Sequence, residues 1–233
     1  DVSNVTNMSW MFYAANNFNQ ALNDWDVSNV TDMSYMLRFA TNFNKALNDW
    51  DVSNVTTMSK MFANMKEFNL ALNNWDVSNV IDMDGMFYGA SNFNQPLDKW
   101  NVSQVKTMAE MFGNAKAFNE ALNDWSVSNV TSMGGMFYGA EVFNQPINDW
   151  DVSKVIKMNG MFKSATNFDQ PLDKWDVSSV TNMVGMFDNA IAFNQALSKW
   201  CVFEIKTKPN NFDYVANSWT EPNKPIWGTC PNS

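Results

Sequence analysis

The sequence has no histidine, two cysteines and no long apolar run. Without histidine it lacks the commonest general base near neutral pH and the commonest metal ligand. Its 15 basic residues against 24 acidic ones give a formal charge of -9, which argues against nucleic-acid binding. No stretch reaches the roughly 18 to 20 apolar residues that span a bilayer. What the chain has is aromatic residues and methionine, with 45% apolar residues in 233, enough for a buried core.

A repeat of 25 residues runs from Asp1 to Trp200 without insertion or deletion and gives eight units. We number the positions of each unit as columns 1 to 25, so that column 25 is always tryptophan. Positions that are the same in every unit are those that the fold needs. Positions that vary are free to serve another purpose.

Nine columns carry the same or nearly the same apolar residue in all units. They are Val at columns 2 and 5, Met at 8 and 11, Phe at 12 and 18, Ala at 15, Leu at 22 and Trp at 25, with the exceptions Leu37, Met65 and Ile147. These columns predict the core. Methionine is suited to fill gaps beside aromatic rings.

The spacing of these columns predicts an α/β repeat. Columns 5, 8, 11, 12 and 15 share one face of a helix, whereas columns 25 and 2 alternate as on a strand. One short parallel strand and one helix per unit is typical of a leucine-rich-repeat-like solenoid. We therefore expect eight stacked units in residues 1–200 and a capping segment in residues 201–233.

The capping segment departs from the repeat, with Lys208 at a methionine column and four prolines that favour an irregular covering loop. Cys201 and Cys230 bracket it. They form either a disulfide, which indicates an oxidising compartment, or two free thiols. Because Asp1 occupies the first column and no starting methionine precedes it, we expect the chain to be a piece of a longer or processed protein.

Acidic residues recur at columns 1 and 24 and suggest two roles. An acidic ladder of oxygen ligands suits calcium. Column 1 also accepts Asn101 and Ser126, so it retains a hydrogen-bond acceptor rather than a charge, which favours capping of turns and helices. No other cofactor is expected. The calcium candidates are Asp24, Asp26, Asp49, Asp51, Asp149 and Asp151.

Large apolar residues cluster at variable columns only in the first two units. They are Trp10, Tyr13, Tyr35 and Phe39. An exposed apolar patch of this kind marks a partner-binding surface, or else a preceding repeat or domain covers it.

The unit Phe-Asn-Gln-x-Leu-x-x-Trp-Asp-Val-Ser-x-Val-Thr-x-Met-x-x-Met-Phe-x-x-Ala resembles the BspA-like surface protein repeat over residues 1–200. The closing stretches 217–219 and 225–231 are also similar to the ends of such proteins. The resemblance implies a secreted or cell-surface solenoid, in some members linked to adhesion to host or matrix proteins. It supplies no catalytic residues.

These observations predict a secreted or cell-surface module that binds an extracellular protein or glycan, as a monomer or as part of a longer chain. An enzyme is not expected, because catalysis needs a unique constellation and these polar residues recur in every unit. A passive spacer or stalk is one alternative. Calcium binding is another, and ice binding by the column 6 threonines is a third, although Ile81, Lys106 and Ile156 interrupt that column.

Overall fold

The computed structural model describes residues 1–231 and shows a backbone made almost wholly of turns. Within these residues the only regular helix is a 3-10 helix at Glu221–Asn223. The predicted α/β repeat, with a helix and a strand in each unit, is therefore wrong. Asn232 and Ser233, the last residues of the predicted capping segment, lie outside the described residues. Among residues 1–231, no helix is long and apolar enough to cross a membrane.

Each unit is a succession of β-turns, closed by a hydrogen bond from the fourth residue's N–H to the first residue's carbonyl oxygen. Five of the six turns in a unit begin and end at apolar core columns, whereas the turn from column 10 to column 13 has both ends outside these columns. In the fourth unit the bonds run from Val80 to Val77, Met86 to Met83, Tyr88 to Gly85, Ala90 to Phe87, Phe93 to Ala90 and Trp100 to Leu97.

Columns 10 and 14 adopt left-handed backbone in all eight units, with φ between 54° and 69°. A positive φ at the third residue is what a type II turn requires. An α-helix of L-residues excludes it. The turn run over columns 8 to 15 therefore replaces the predicted helix, although its apolar residues recur at nearly helical spacing.

Neighbouring units are joined by a parallel ladder of backbone hydrogen bonds. The N–H of column 6 donates to column 6 of the preceding unit, as Lys106 does to Ile81 at 2.9 Å. The N–H groups of columns 8, 10, 12 and 14 donate forward, as Phe87 does to Met111 at 2.9 Å. Seven isolated parallel bridges link column 7 from unit to unit. The strand predicted at columns 25 and 2 is therefore wrong, because within residues 1–231 the pairing between units consists of these isolated bridges and not of strands.

The nine apolar columns form the core, as predicted. In units two to eight each of these side chains is 3% exposed or less. Phenylalanine rings stack from unit to unit, with centroids 5.8 Å apart between Phe87 and Phe112. Within a unit the two Phe columns also stack, at 4.1 Å between Phe87 and Phe93.

The backbone of segment 209–216 continues the turn run after the eighth unit, shifted by one residue. The N–H groups of Gly185, Phe187 and Asn189 donate to the carbonyl oxygens of residues 210, 212 and 214. Left-handed φ values follow at residues 211 and 215, one position later than in the units. The irregular loop expected from the prolines is thus ordered here by the preceding unit.

Aromatic packing and a disulfide hold this segment against the eighth unit. Trp219 is 4% exposed and packs edge-on against Phe193, with centroids 4.8 Å apart. Its indole N–H donates to the carbonyl oxygen of Gln195 at 2.9 Å. Cys201 and Cys230 are bonded, so the disulfide rather than the free thiols is present.

Candidate binding surface

The side chains of columns 7, 9, 10, 13 and 14 lie outside the core along the turn run, and we call this surface the turn face. Most of its residues are exposed or half-buried. The turn face also holds much of the sequence variation between units. It is therefore the surface on which one part of the chain differs chemically from another.

The four predicted partner-binding residues meet on the turn face and form what we call the aromatic cluster. Trp10 and Tyr35 stack face to face, with centroids 4.1 Å apart and planes 6° from parallel. Tyr13 lies 4.8 Å from Trp10 and packs edge-on against Phe39 at 5.9 Å. The structure thus brings together side chains that lie a unit or more apart in sequence.

The backbone beneath the aromatic cluster is of a kind that disfavours large side chains. Trp10, Tyr35 and Phe39 have φ values of 63°, 59° and 63°. A non-glycine residue in this conformation costs on the order of 1 to 3 kcal/mol. Column 10 is glycine in units four, six, seven and eight, at Gly85, Gly135, Gly160 and Gly185.

Arg38, the only arginine in the sequence, lies beside the aromatic cluster. Its guanidinium carbon is 5.4 Å from the centroid of Tyr35 and 5.0 Å from that of Phe39, within the range of cation–π attraction. No carboxylate within residues 1–231 forms an ion pair with it. Sequence reasoning missed Arg38, although its position between two cluster residues was a usable signal.

A groove of about 480 Å³ lies further along the turn face, in units three to seven. Its lining includes Asp84, Glu110, Tyr138 and Asn159 around a floor of glycines. Burial raises the pKa of Asp84, and a hydrogen bond from the Thr107 hydroxyl opposes that rise. Sequence reasoning did not find this groove. The signal was the run of small residues at columns 9 and 10, with Gly134 and Gly135 in the sixth unit and Gly160 in the seventh.

Column 1 caps the turn that follows it. In seven units its side-chain Oδ1 accepts a hydrogen bond of 3.0 to 3.1 Å from the N–H of column 3. Hydrogen bonds from Ser28, first from its hydroxyl and then from its N–H, lower the pKa of Asp26. Ser153 lowers the pKa of Asp151 in the same way. Asn101 makes the same bond without a charge.

The other calcium candidates are engaged differently. The Asp49 carboxylate accepts hydrogen bonds from the amides of Asn23 and Asn48. Asp149 pairs with Lys174 at 2.6 Å. Asp24 is exposed, and Asp51 caps Ser53 at 3.1 Å. In the described part of the chain no three acidic, cysteine or histidine residues come together in a way that could hold a metal ion.

The column 6 threonines, which suggested ice binding, use their hydroxyls within the fold. Thr31 donates to the carbonyl oxygen of Thr6, and Thr56 to that of Thr31, each at 3.1 Å. Ile81 and Ile156 stand exposed in the same column. The column is therefore neither uniform in chemistry nor rich in free hydroxyl donors.

A family model described as "Mycoplasma protein of unknown function, DUF285" matches residues 1–77, 45–145 and 121–224. The chain belongs to the DUF285 family. That description names no activity, so the BspA-like assignment of this DUF285 chain stays a prediction. A search of curated proteins found no match.

Two solved structures resemble the DUF285 chain at low identity. One is a TLR13–ssRNA13 complex, with 9% identity, 72% of this chain and 23% of that chain covered, and a TM-score of 0.32. The other is an internalin, inlF, from Listeria monocytogenes, with 8% identity, coverage of 74% and 69%, and a TM-score of 0.24. The DUF285 chain thus spans less than a quarter of the first protein. Likenesses this distant carry no conclusion about ligands.

Proposed function

We propose that this chain is a secreted or cell-surface module that binds an extracellular protein and does not catalyse a reaction. The aromatic cluster is the observation that carries the proposal. Tryptophan, tyrosine and arginine are the residues that most often dominate protein–protein binding energy. Here Trp10, Tyr13, Tyr35 and Arg38 lie together on one surface.

The aromatic cluster is suited to binding because it is exposed and already ordered. Trp10 is 49% exposed and Tyr13 41% exposed. The stack of Trp10 on Tyr35 restricts both side chains before a partner arrives, which lowers the entropy that binding would cost. Arg38 offers an unpaired guanidinium to a carboxylate of the partner.

The secreted location and the non-catalytic role are supported by other features. The bond between Cys201 and Cys230 is of a kind that persists in oxidising compartments. Many polar side chains hold units together, as when the Asn69 side chain accepts a hydrogen bond of 2.9 Å from the backbone N–H of Asn94. Groups used in this way are not available to act on a substrate.

The test compares wild type with a double variant, Trp10→Gly with Tyr35→Gly. Glycine already occupies column 10 in four units, so we expect the variant to fold. Ile191→Ser is the matched control, since Ile191 is 44% exposed but lies outside the turn face. The probes are immobilised fibronectin, laminin and collagen, and a phage library of random peptides, read by surface plasmon resonance.

We expect wild type and Ile191→Ser to bind at least one probe equally, and the double variant to bind it about tenfold or more weakly, the loss of a hot spot. Equal binding by the double variant would refute the proposal. So would a wild type that binds no probe, and that result would favour the second candidate, a passive spacer. The nearly uniform ladder between units is the observation that favours a spacer.

A further inference from the structure

The sixth unit has a glycine pair, Gly134–Gly135, at columns 9 and 10, whereas every other unit carries a side chain at column 9. The next unit has Gly160 at column 10. These three residues leave backbone at the floor of the groove of about 480 Å³. None of the four residues of the aromatic cluster lines this groove, although the Nζ of Lys60, at the end of the groove nearest the cluster, lies 6.0 Å from the centroid of Tyr35.

Side chains frame the glycine pair on four sides. Glu110 of the preceding unit leans over Gly135, its Cγ 3.2 Å from the point where a Cβ would stand. Asn159 of the following unit leans over Gly134, its Oδ1 2.9 Å from the corresponding point. Ser132 and Tyr138 of the sixth unit itself line the two remaining sides.

The polar side chains of this frame make no hydrogen bonds with other groups in residues 1–231, and two backbone N–H groups beside them are also without an acceptor there. In units one to five and eight, the column 7 side chain accepts a hydrogen bond from the column 9 N–H, as Asp82 does from Asp84 at 2.9 Å. In unit seven Lys157 stands at column 7 and has no acceptor atom. The Asn159 N–H therefore has no acceptor within residues 1–231. The Gly134 N–H has none there either, because the Ser132 hydroxyl at column 7 of its own unit does not accept from it.

The free groups are of mixed kind. The Glu110 carboxylate accepts hydrogen bonds. The Ser132 hydroxyl and the Asn159 amide can each donate and accept them. No side-chain hydrogen bond or ion pair within residues 1–231 engages any of these three. Tyr138 adds an aromatic ring to one edge.

The chemistry of the frame selects among ligands. Two carboxylates, those of Asp84 and Glu110, line the groove. Of its two lysines, Lys163 is paired with Asp188 at 2.8 Å, which leaves Lys60 as the one lining cation without an ion pair in residues 1–231. The lining therefore disfavours an anion. The glycine floor offers no apolar pocket for the side chains of a peptide. Hydroxyl groups that both donate and accept, carried on a ring that packs against an aromatic residue, match the groups present.

We propose that this groove binds a short neutral oligosaccharide. The Glu110 carboxylate accepts hydrogen bonds from sugar hydroxyls, the N–H groups of Gly134 and Asn159 donate to them, and the Tyr138 ring packs against a sugar ring. Glu110 and Asn159 lie two units apart, about 10 Å at the spacing of parallel chains. A ligand that reaches both must cross the glycine pair.

The test uses two substitutions at equivalent backbone positions. Gly160→Lys places a side chain in the groove, whereas Gly185→Lys places the same side chain in the same column outside it. The two glycines have φ values of 60° and 62°, and a Cβ at either meets no atom closer than 3.8 Å. Lys60 shows that column 10 tolerates lysine.

Lactose, maltotriose, cellotriose and triacetylchitotriose are the probes, titrated by calorimetry into each folded protein. We expect at least one sugar to bind wild type and Gly185→Lys alike, and Gly160→Lys about tenfold more weakly. Glu110→Gln should also weaken binding, while the Trp10→Gly, Tyr35→Gly double variant should bind as wild type does. The last result separates this groove from the protein-binding proposal.

Two outcomes would overturn the proposal. One is that none of the four sugars binds wild type. The other is that Gly160→Lys binds sugar as tightly as Gly185→Lys. A peptide from the library could instead bind wild type and Gly185→Lys but not Gly160→Lys, with no sugar binding. The groove would then be a peptide site and the sugar assignment would be wrong.

Discussion

The indole N–H of Trp100 donates a hydrogen bond of 3.0 Å to the carbonyl oxygen of Leu72, in the preceding unit. The same bond, at 2.8 to 3.0 Å, recurs for the tryptophan of every unit from the second to the eighth. Column 25 therefore needs a side chain that is large, apolar and able to donate one hydrogen bond. Tryptophan meets all three needs.

Trp100→Ala should lower the free energy of unfolding by about 3 to 5 kcal/mol, because it removes a buried ring and leaves a cavity between units. Urea unfolding followed by circular dichroism measures this. Trp10→Ala is the control, since that tryptophan is 49% exposed, and its effect should be far smaller. A loss below about 1 kcal/mol at Trp100 would show that the ring is not part of the core.

Asp51→Asn should leave the melting temperature nearly unchanged, because asparagine keeps the oxygen that accepts from Ser53, as Asn101 does in its own unit. Asp51→Ala removes the acceptor and should cost about 1 kcal/mol, the usual cost of a lost cap. Thermal unfolding with calcium and with chelator completes the test. Metal binding would instead be supported if calcium raised the melting temperature of wild type and if Asp51→Asn had a lower melting temperature than wild type.

Asp213 should make the end of the chain sensitive to acid. Burial alone would raise the pKa of Asp213, but hydrogen bonds and ion pairs with Lys208 and Lys224 lower it below its usual value. A carboxyl whose pKa is lower in the folded state stabilises the protein above its ordinary pKa of about 3.9. That contribution is lost as the pH falls through the lower, folded value.

The measurement is the free energy of unfolding between pH 7 and pH 2 for wild type and Asp213→Asn. The variant should be less stable at pH 7 by about 1 to 3 kcal/mol and should lose less stability on acidification. Parallel pH curves for the two proteins would show that the ion pairs of Asp213 contribute nothing.

Gly139→Ala should destabilise the protein more than Gly160→Ala does. Both residues have left-handed φ values, 64° and 60°, so each variant pays about 1 to 2 kcal/mol of backbone strain. Only at Gly139 would the added methyl also collide with the Asn114 side chain. Thermal unfolding should show the larger loss at Gly139, with part of it recovered on adding Asn114→Ala. Equal losses would mean that Asn114 moves aside freely.

The core could be predicted from the sequence, but the backbone that builds it could not. A β-turn directs residues i and i+3 inward, so successive turns produce apolar residues at intervals of three, which a helix also produces. The distinguishing signal lies at columns 10 and 14. Glycine or asparagine recurs there, as at Gly85 and Asn114, and both residues are disfavoured inside helices.

Of the two candidate sites, one could be predicted from the sequence and the other could not. The aromatic cluster could be predicted, because large exposed aromatic residues stand out within a regular repeat. The sugar groove could not, because Glu110 and Asn159 lie almost two units apart in sequence and reach the same glycine pair only through the stacking register. Without the turn geometry, neither residue could be placed over the glycine pair.

The ladder between units joins each unit only to its immediate neighbours, by nearly the same bonds at nearly every junction. Duplication or loss of a whole 25-residue stretch of the gene would therefore lengthen or shorten the protein without requiring a new fold. Among the regular units, gain or loss of one unit would leave the bonds between the remaining units unchanged. Between Glu110 and Asn159 an added unit would separate the walls of the groove from its floor, and loss of the sixth unit would remove the floor.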